Sequence, residues 1–185
     1  MTAVTKLRMN ADEFIAWAMS QPKGKRYELV GGEVVAMAPE RVEHSEIKGN
    51  VYLAFCEAIR AAGVPCRAYP DGLAVRIDRS TIYEPDALVR YGSPIDGAAV
   101  EISDPMIVVE VTSPSTQTLD AGAKLDDYFK LTSVRHYLIV KVRNRSVIHH
   151  ARDDHGRIET RVVSSGPLAL EPPGITVQVE SFFTV

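Results

Sequence analysis

The sequence predicts an α/β fold, with a mixed central sheet flanked by helices. Three observations support this. Apolar residues recur at helical spacing across 44–62. Short segments of strand character follow from Leu73 onward. A second helical segment, about 118–131, interrupts them. The resulting order is helix, hairpin, helix, strands, helix, strands, built around one sheet. With 185 residues and 45% hydrophobic content the chain is expected to form a single domain with a substantial core.

The first helix begins after Asn10, with Glu13 three residues on in a capping-box arrangement. Phe14, Trp17 and Ala18 supply its apolar face, and Gln21-Pro22-Lys23-Gly24 stops it. A hairpin follows, in which two strand-like runs flank Gly31-Gly32, a pair suited to positive φ. In the helix at 44–62, Ile47, Val51, Phe55, Ala58 and Ile59 share one face, and Gly63 closes it. Leu73, Val75 and Ile77 alternate with polar neighbours as in a half-buried strand, and Asp78-Arg79-Ser80 reads as a turn. A strand begins at Asp86. The apolar run opened by Pro105 is the expected central strand. His136 to Val140 forms another strand, which returns through Arg143-Asn144-Arg145 to Val147-Ile148-His149. The tail reads as short strands broken by Pro172-Pro173-Gly174.

Net charge is −3, which argues against a protein that coats nucleic acid non-specifically. It leaves room for a local basic rim, and Arg135, Lys141, Arg143 and Arg145 are candidates. A solvated hairpin surface is the alternative. No stretch is long and apolar enough for a membrane helix, and no signal peptide is apparent. Two cysteines without metal-type spacing fit free thiols in a reducing cytoplasm.

Three residues stand out chemically. Glu110 interrupts the run Met106-Ile107-Val108-Val109-Glu110-Val111, where a carboxylate is costly unless it is paired or binds a metal. Asp86 follows a proline in Tyr83-Glu84-Pro85-Asp86. Phosphodiester hydrolysis needs carboxylates to hold Mg²⁺ and gains from a cation near the phosphate. On the strand, Glu110 and Thr112 share a face, so the strand supplies only the acid. Lys124, on the next helix, can supply the charge. Each residue has a plainer reading. Asp86 can be a turn acid and Glu110 a member of a structural ion pair. Lys124 can pair with Asp120 or Asp127 on the helix surface. His44 reads as a helix-start polar residue. His149, His150 and His155 match no zinc spacing and read as surface histidines. Ser113, Ser115 and Thr116 lack a paired base, so loop closure and helix capping account for them.

The chain resembles the Uma-two family of restriction-endonuclease-like proteins, within the PD-(D/E)XK nuclease superfamily. The residues that carry the resemblance are Tyr27-Glu28-Leu29-Val30-Gly31-Gly32-Glu33, the helix beginning at His44, and Glu84-Pro85-Asp86-Ala87. They continue with Val108-Val109-Glu110-Val111-Thr112-Ser113-Pro114-Ser115-Thr116, then Asp120, Lys124 and Tyr128, then His136 to Val140. The resemblance implies a restriction-endonuclease-like core over about 27–150. It also implies Asp86 and Glu110 as metal ligands, Lys124 in place of the usual strand lysine, and Glu28 as a further acid near the metal. Thr112 departs from the superfamily pattern, though not from the family's.

The expected function is therefore cleavage of DNA phosphodiester bonds with Mg²⁺ or Mn²⁺. Asp86 and Glu110 would hold the metal, with Glu28 completing its surroundings, and Lys124 would act on water or phosphate. A homodimer is a further expectation, since duplex-cutting enzymes often pair two sites. The alternative is a non-catalytic nucleic-acid- or protein-binding module on the same fold.

Overall fold

Asn10 opens the computed structural model's first helix, α1 (Ala11–Met19), and residues 8–112 and 120–184 are described. The Asn10 side chain accepts the Asp12 and Glu13 N–H groups, while Glu13 accepts the Asn10 N–H. Strands β1 (Tyr27–Val30) and β2 (Glu33–Ala36) form the expected hairpin. Gly31 and Gly32 have φ of 56° and 84°, a turn that matches the strand twist and that side chains with a Cβ adopt poorly. Helix α2 (Val42–Ala62) starts slightly earlier than expected and ends at left-handed Gly63.

Then come β3 (Cys66–Pro70), β4 (Ala74–Arg76), β5 (Ile82–Tyr83), β6 (Ala87–Tyr91), β7 (Glu101–Ile102) and β8 (Pro105–Thr112). Helix α3 (Asp120–Tyr128) precedes β9 (His136–Lys141), β10 (Ser146–Arg152) and β11 (Ile158–Val163). A ribbon of β12 (Pro167–Leu170) and β13 (Ile175–Gln178) runs into a 3-10 turn at Val179–Phe183.

The main sheet has the order β11-β10-β9-β8-β6-β3. Its strands pair antiparallel except β8 and β9, which are parallel and are joined through α3. The expectation of one sheet is corrected here. The opening hairpin belongs to a second sheet, β2-β1-β5-β4-β7, because Leu29 of β1 registers with Ile82 of β5. Phe14 and Ala11 of α1 pack on Leu29 and Ile82.

β8 lies between β9 and β6 and is covered on both sides. Ile107, Val109 and Val111 join Ile47, Val51 and Phe55 of α2 in one core. Val108 joins Leu88, Tyr128 and Tyr137 in the other. Side chains alternate along a strand, so Glu110 and Thr112 share the face of Val108. No helix among the described residues is long and apolar enough to cross a membrane. Cys56 and Cys66 are free thiols.

The surface reading of the histidines holds only for His155. His149 is 1% exposed and His150 is buried. Arg161 Nε donates to His149 Nδ1 at 3.0 Å, which places the His149 proton on Nε2. That group then donates to His136 Nδ1 at 2.9 Å, and His136 Nε2–H donates to the Pro172 carbonyl at 2.8 Å. A single pair of tautomers satisfies the whole chain. Burial pushes His136 down to about 4 and His149 to about 3. Alternation along β10 could not reveal these partners, because Arg161 and His136 lie on neighbouring strands.

Candidate active site

Asp86 is placed by the backbone before its side chain acts. Its N–H donates to the Val109 carbonyl at 3.0 Å, anchoring the start of β6 to β8. Its Oδ2 accepts the Val111 N–H at 2.6 Å. Lys48 Nζ lies 2.8 Å from Oδ1, and His44 Nε2 lies 3.7 Å from Oδ2. Burial alone would raise the Asp86 pKa, but His44, Lys48 and the Val111 N–H hold it below the ordinary carboxylate range.

Glu110 has the opposite character. Burial pushes it up to about 7, and the nearby negative charges of Asp86 and Glu28 add to that while Lys124 opposes it. The Tyr128 hydroxyl donates to Glu110 Oε1 at 2.7 Å, and Lys124 Nζ donates to the same oxygen at 3.2 Å. Lys124 and Tyr128 lie four residues apart on α3, so they point the same way. Lys124 also donates to Glu28 Oε1 at 2.9 Å, and that oxygen accepts the Glu84 N–H at 3.1 Å. Lys124 is 6% exposed and Glu28 7%, so both are buried and Lys124 is not the helix-surface residue of its plainer reading. Asp127, offered as a helix-surface partner for Lys124, instead binds the Tyr83 hydroxyl and Lys130. The side chain of Asp120 lies outside the described residues, as do Ser113, Ser115 and Thr116.

Glu28, His44, Asp86, Glu110, Thr112 and Lys124 therefore line one cleft of about 760 Å³. The floor is rich in acid. Glu28, Glu40, Asp86 and Glu110 line it, and among the described residues their ion-pair partners are Lys48, Lys124, Arg26 and, at 3.7 Å, His44. Among the described residues, no three His, Cys, Asp or Glu side chains are already gathered as a metal cage. Two buried polar atoms on the cleft wall, His44 Nε2 and Thr112 Oγ1, have no hydrogen-bond partner among the described residues.

Lys48 is absent from the site residues that the sequence suggests. The signal was present. Positions 44, 48, 51 and 55 follow one stripe of α2, and Val51 and Phe55 on it are fully buried. A lysine inside a buried stripe needs acidic partners, and Lys48 finds Glu40 and Asp71 as well as Asp86. The basic rim is corrected in part. Arg135 pairs with Asp154, and Lys141 does not line the cleft, but Arg143 and Arg145 do. Arg41 joins them from α2's N-terminal edge, unforeseen.

Comparison with known proteins agrees with this architecture. The uncharacterized protein slr1290 of Synechocystis is 26% identical over 179 residues, covering 95% of this chain and 92% of that protein. The fold is similar to the crystal structure of a putative nuclease belonging to DUF820 from Anabaena variabilis. The TM-score is 0.73 at 14% identity, across 95% of this chain and 97% of that one. The model of the Uma2 family, described as "Putative restriction endonuclease", matches residues 11–184. This chain belongs to the Uma2 family.

Proposed function

We propose that the protein is a divalent-metal-dependent endonuclease that hydrolyses DNA phosphodiester bonds at this cleft. One observation carries the reading: Lys124 of α3 meets Glu28 of β1 and Glu110 of β8 in a cleft that Asp86 also lines. Elements distant in sequence have no reason to bring acids and a buried lysine together for stability alone, since buried ion pairs contribute little net.

The residues fit Mg²⁺ or Mn²⁺. Carboxylate oxygens are the hard donors such ions take. The acids outnumber their cations, and Glu110 is driven toward holding a proton in a place where a dication would relieve the same crowding. Asp86 and Glu110 would hold the ion, with Glu28 at its edge. Such an ion supplies positive charge against the phosphoryl oxygens and activates water. Asp86, already ionised, offers a charged oxygen without losing a proton. Lys124 orients the attacking water or stabilises charge on the phosphoryl oxygens. Tyr128 fixes the Glu110 carboxylate from behind.

A second reading, a non-catalytic binding module, draws on one feature: both Asp86 oxygens already have protein donors, Lys48 and the Val111 N–H. The test is incubation with plasmid and single-stranded DNA in Mg²⁺ or Mn²⁺, beside Asp86→Ala. Metal-dependent nicking lost in the variant supports the enzyme. Equal products from both, or none from either, favour the binding module.

A further inference from the structure

The cleft floor and its rim differ in charge. Lys124 at the floor and Lys48, which pairs with Asp86, are buried and committed to acids. At the rim, Arg41 and Arg143 are exposed, and neither has an acidic partner among the described residues. Some arginines elsewhere are neutralised, as Arg76 with Glu101 and Arg90 with Asp104 show.

The two rim arginines come from different walls. Arg41 occupies the N-cap position of α2, one turn before His44, which lies beside Asp86. Arg143 projects from the β9–β10 turn. That turn is tied to the strand carrying Glu110, because Thr112 registers with Lys141 and the Val142 N–H donates to the Thr112 carbonyl at 3.2 Å. Its neighbour Arg145 has another task. With φ of 45° it donates to the Phe183 carbonyl at 2.7 Å, and its guanidinium lies 5.4 Å from the Phe183 ring centroid. Arg145 therefore splints the turn that presents Arg143.

We propose that Arg41 and Arg143 form a phosphate clamp, binding backbone phosphates of a nucleic-acid strand that flank the one seated at the carboxylates. The inference rests on the nuclease reading and names how its substrate is held. Guanidinium groups suit phosphate oxygens by shape and charge. Cations on two separate walls, outside a floor with its own lysine, match a ligand carrying several phosphates in series rather than a small monoester. The overall charge of −3 repels a polyanion, so attraction must be local.

The test is fluorescence anisotropy with labelled duplex DNA, single-stranded DNA and single-stranded RNA of equal length, in EDTA, across 50–200 mM salt (roughly the range over which phosphate contacts dominate). Arg41→Ala and Arg143→Ala are compared with Arg67→Ala, an exposed arginine outside this cleft. Each rim variant should bind several-fold more weakly and lose about one unit of slope in log K against log salt. Arg143→Lys should keep the slope, and Arg67→Ala should match the parent. Unchanged thermal midpoints would exclude misfolding. If the parent binds and both rim variants keep its affinity and slope, the clamp is wrong while the nuclease reading stands. If the parent binds none of the three probes at the lowest salt, both fail. The arm that loses most on substitution identifies the strand type the clamp holds.

Discussion

Lys124 Nζ donates to Glu110 Oε1 at 3.2 Å and to Glu28 Oε1 at 2.9 Å, so a helix lysine bridges an acid from each of the two larger sheets. The bridge fixes where a cation stands relative to the acids without requiring a lysine on the strand itself. Thr112, at the position two residues beyond Glu110, is accordingly free of that duty.

Replacing Lys124 by Met should reduce cleavage by about 10²–10³, the usual cost of losing a preorganised charge that meets developing charge. Stability should also fall, by about 1–3 kcal/mol, because Glu28 and Glu110 lose a buried donor. Rate and thermal midpoint measured on the same variant check this. A parental rate with a lowered midpoint would make Lys124 structural only.

Glu110→Gln tests the crowding of acids. The folded value of about 7 lies above the unfolded value near 4.5, so the parent's stability from this group is full below about 4.5 and is lost as pH rises through about 7. The loss should total about 3 kcal/mol. The glutamine variant cannot titrate here and should not share it. Denaturant midpoints of both proteins in EDTA from pH 4.5 to 8 should therefore diverge, with the variant ahead at high pH. Parallel curves would refute the assignment. With Mg²⁺ added, calorimetry should detect binding to the parent and none to the variant at this site.

The histidine chain has the opposite sign. His136 and His149 are depressed by burial, to about 4 and about 3, against about 6.5 when unfolded. Their contribution is complete above about 6.5 and is lost as pH falls toward 4, where the unfolded chain binds protons that the folded one refuses. Nitrogen NMR at pH 6 should show both rings neutral with the proton on Nε2. Imidazolium shifts for either ring at that pH would overturn the tautomer chain.

Asn10→Ala removes the acceptor for two helix N–H groups and should cost about 1 kcal/mol with no effect on any cleft activity. Equal chemical denaturation midpoints would show that Glu13 alone secures the helix start.

Local interactions were legible from residue order. The Asn10–Glu13 box, the glycine pair at the hairpin and the stop at Gly63 depend on neighbours within a few residues, and each appears where the sequence places it. Glu110 was conspicuous for the same reason, as a charge inside an apolar run. Partnership across the fold was not legible. Whether Lys124 faced Asp127 or Glu28 depended on how α3 packs after β8, a matter of distant contacts rather than local spacing. Lys48 needed acids from the loop before α2, from Asp71 and from the start of β6, and His149 needed His136 before it and Arg161 after it. Local sequence determines which groups are costly to bury, because that cost belongs to the residue. Only tertiary structure decides which distant group offsets it, because that depends on which surfaces the whole chain packs together.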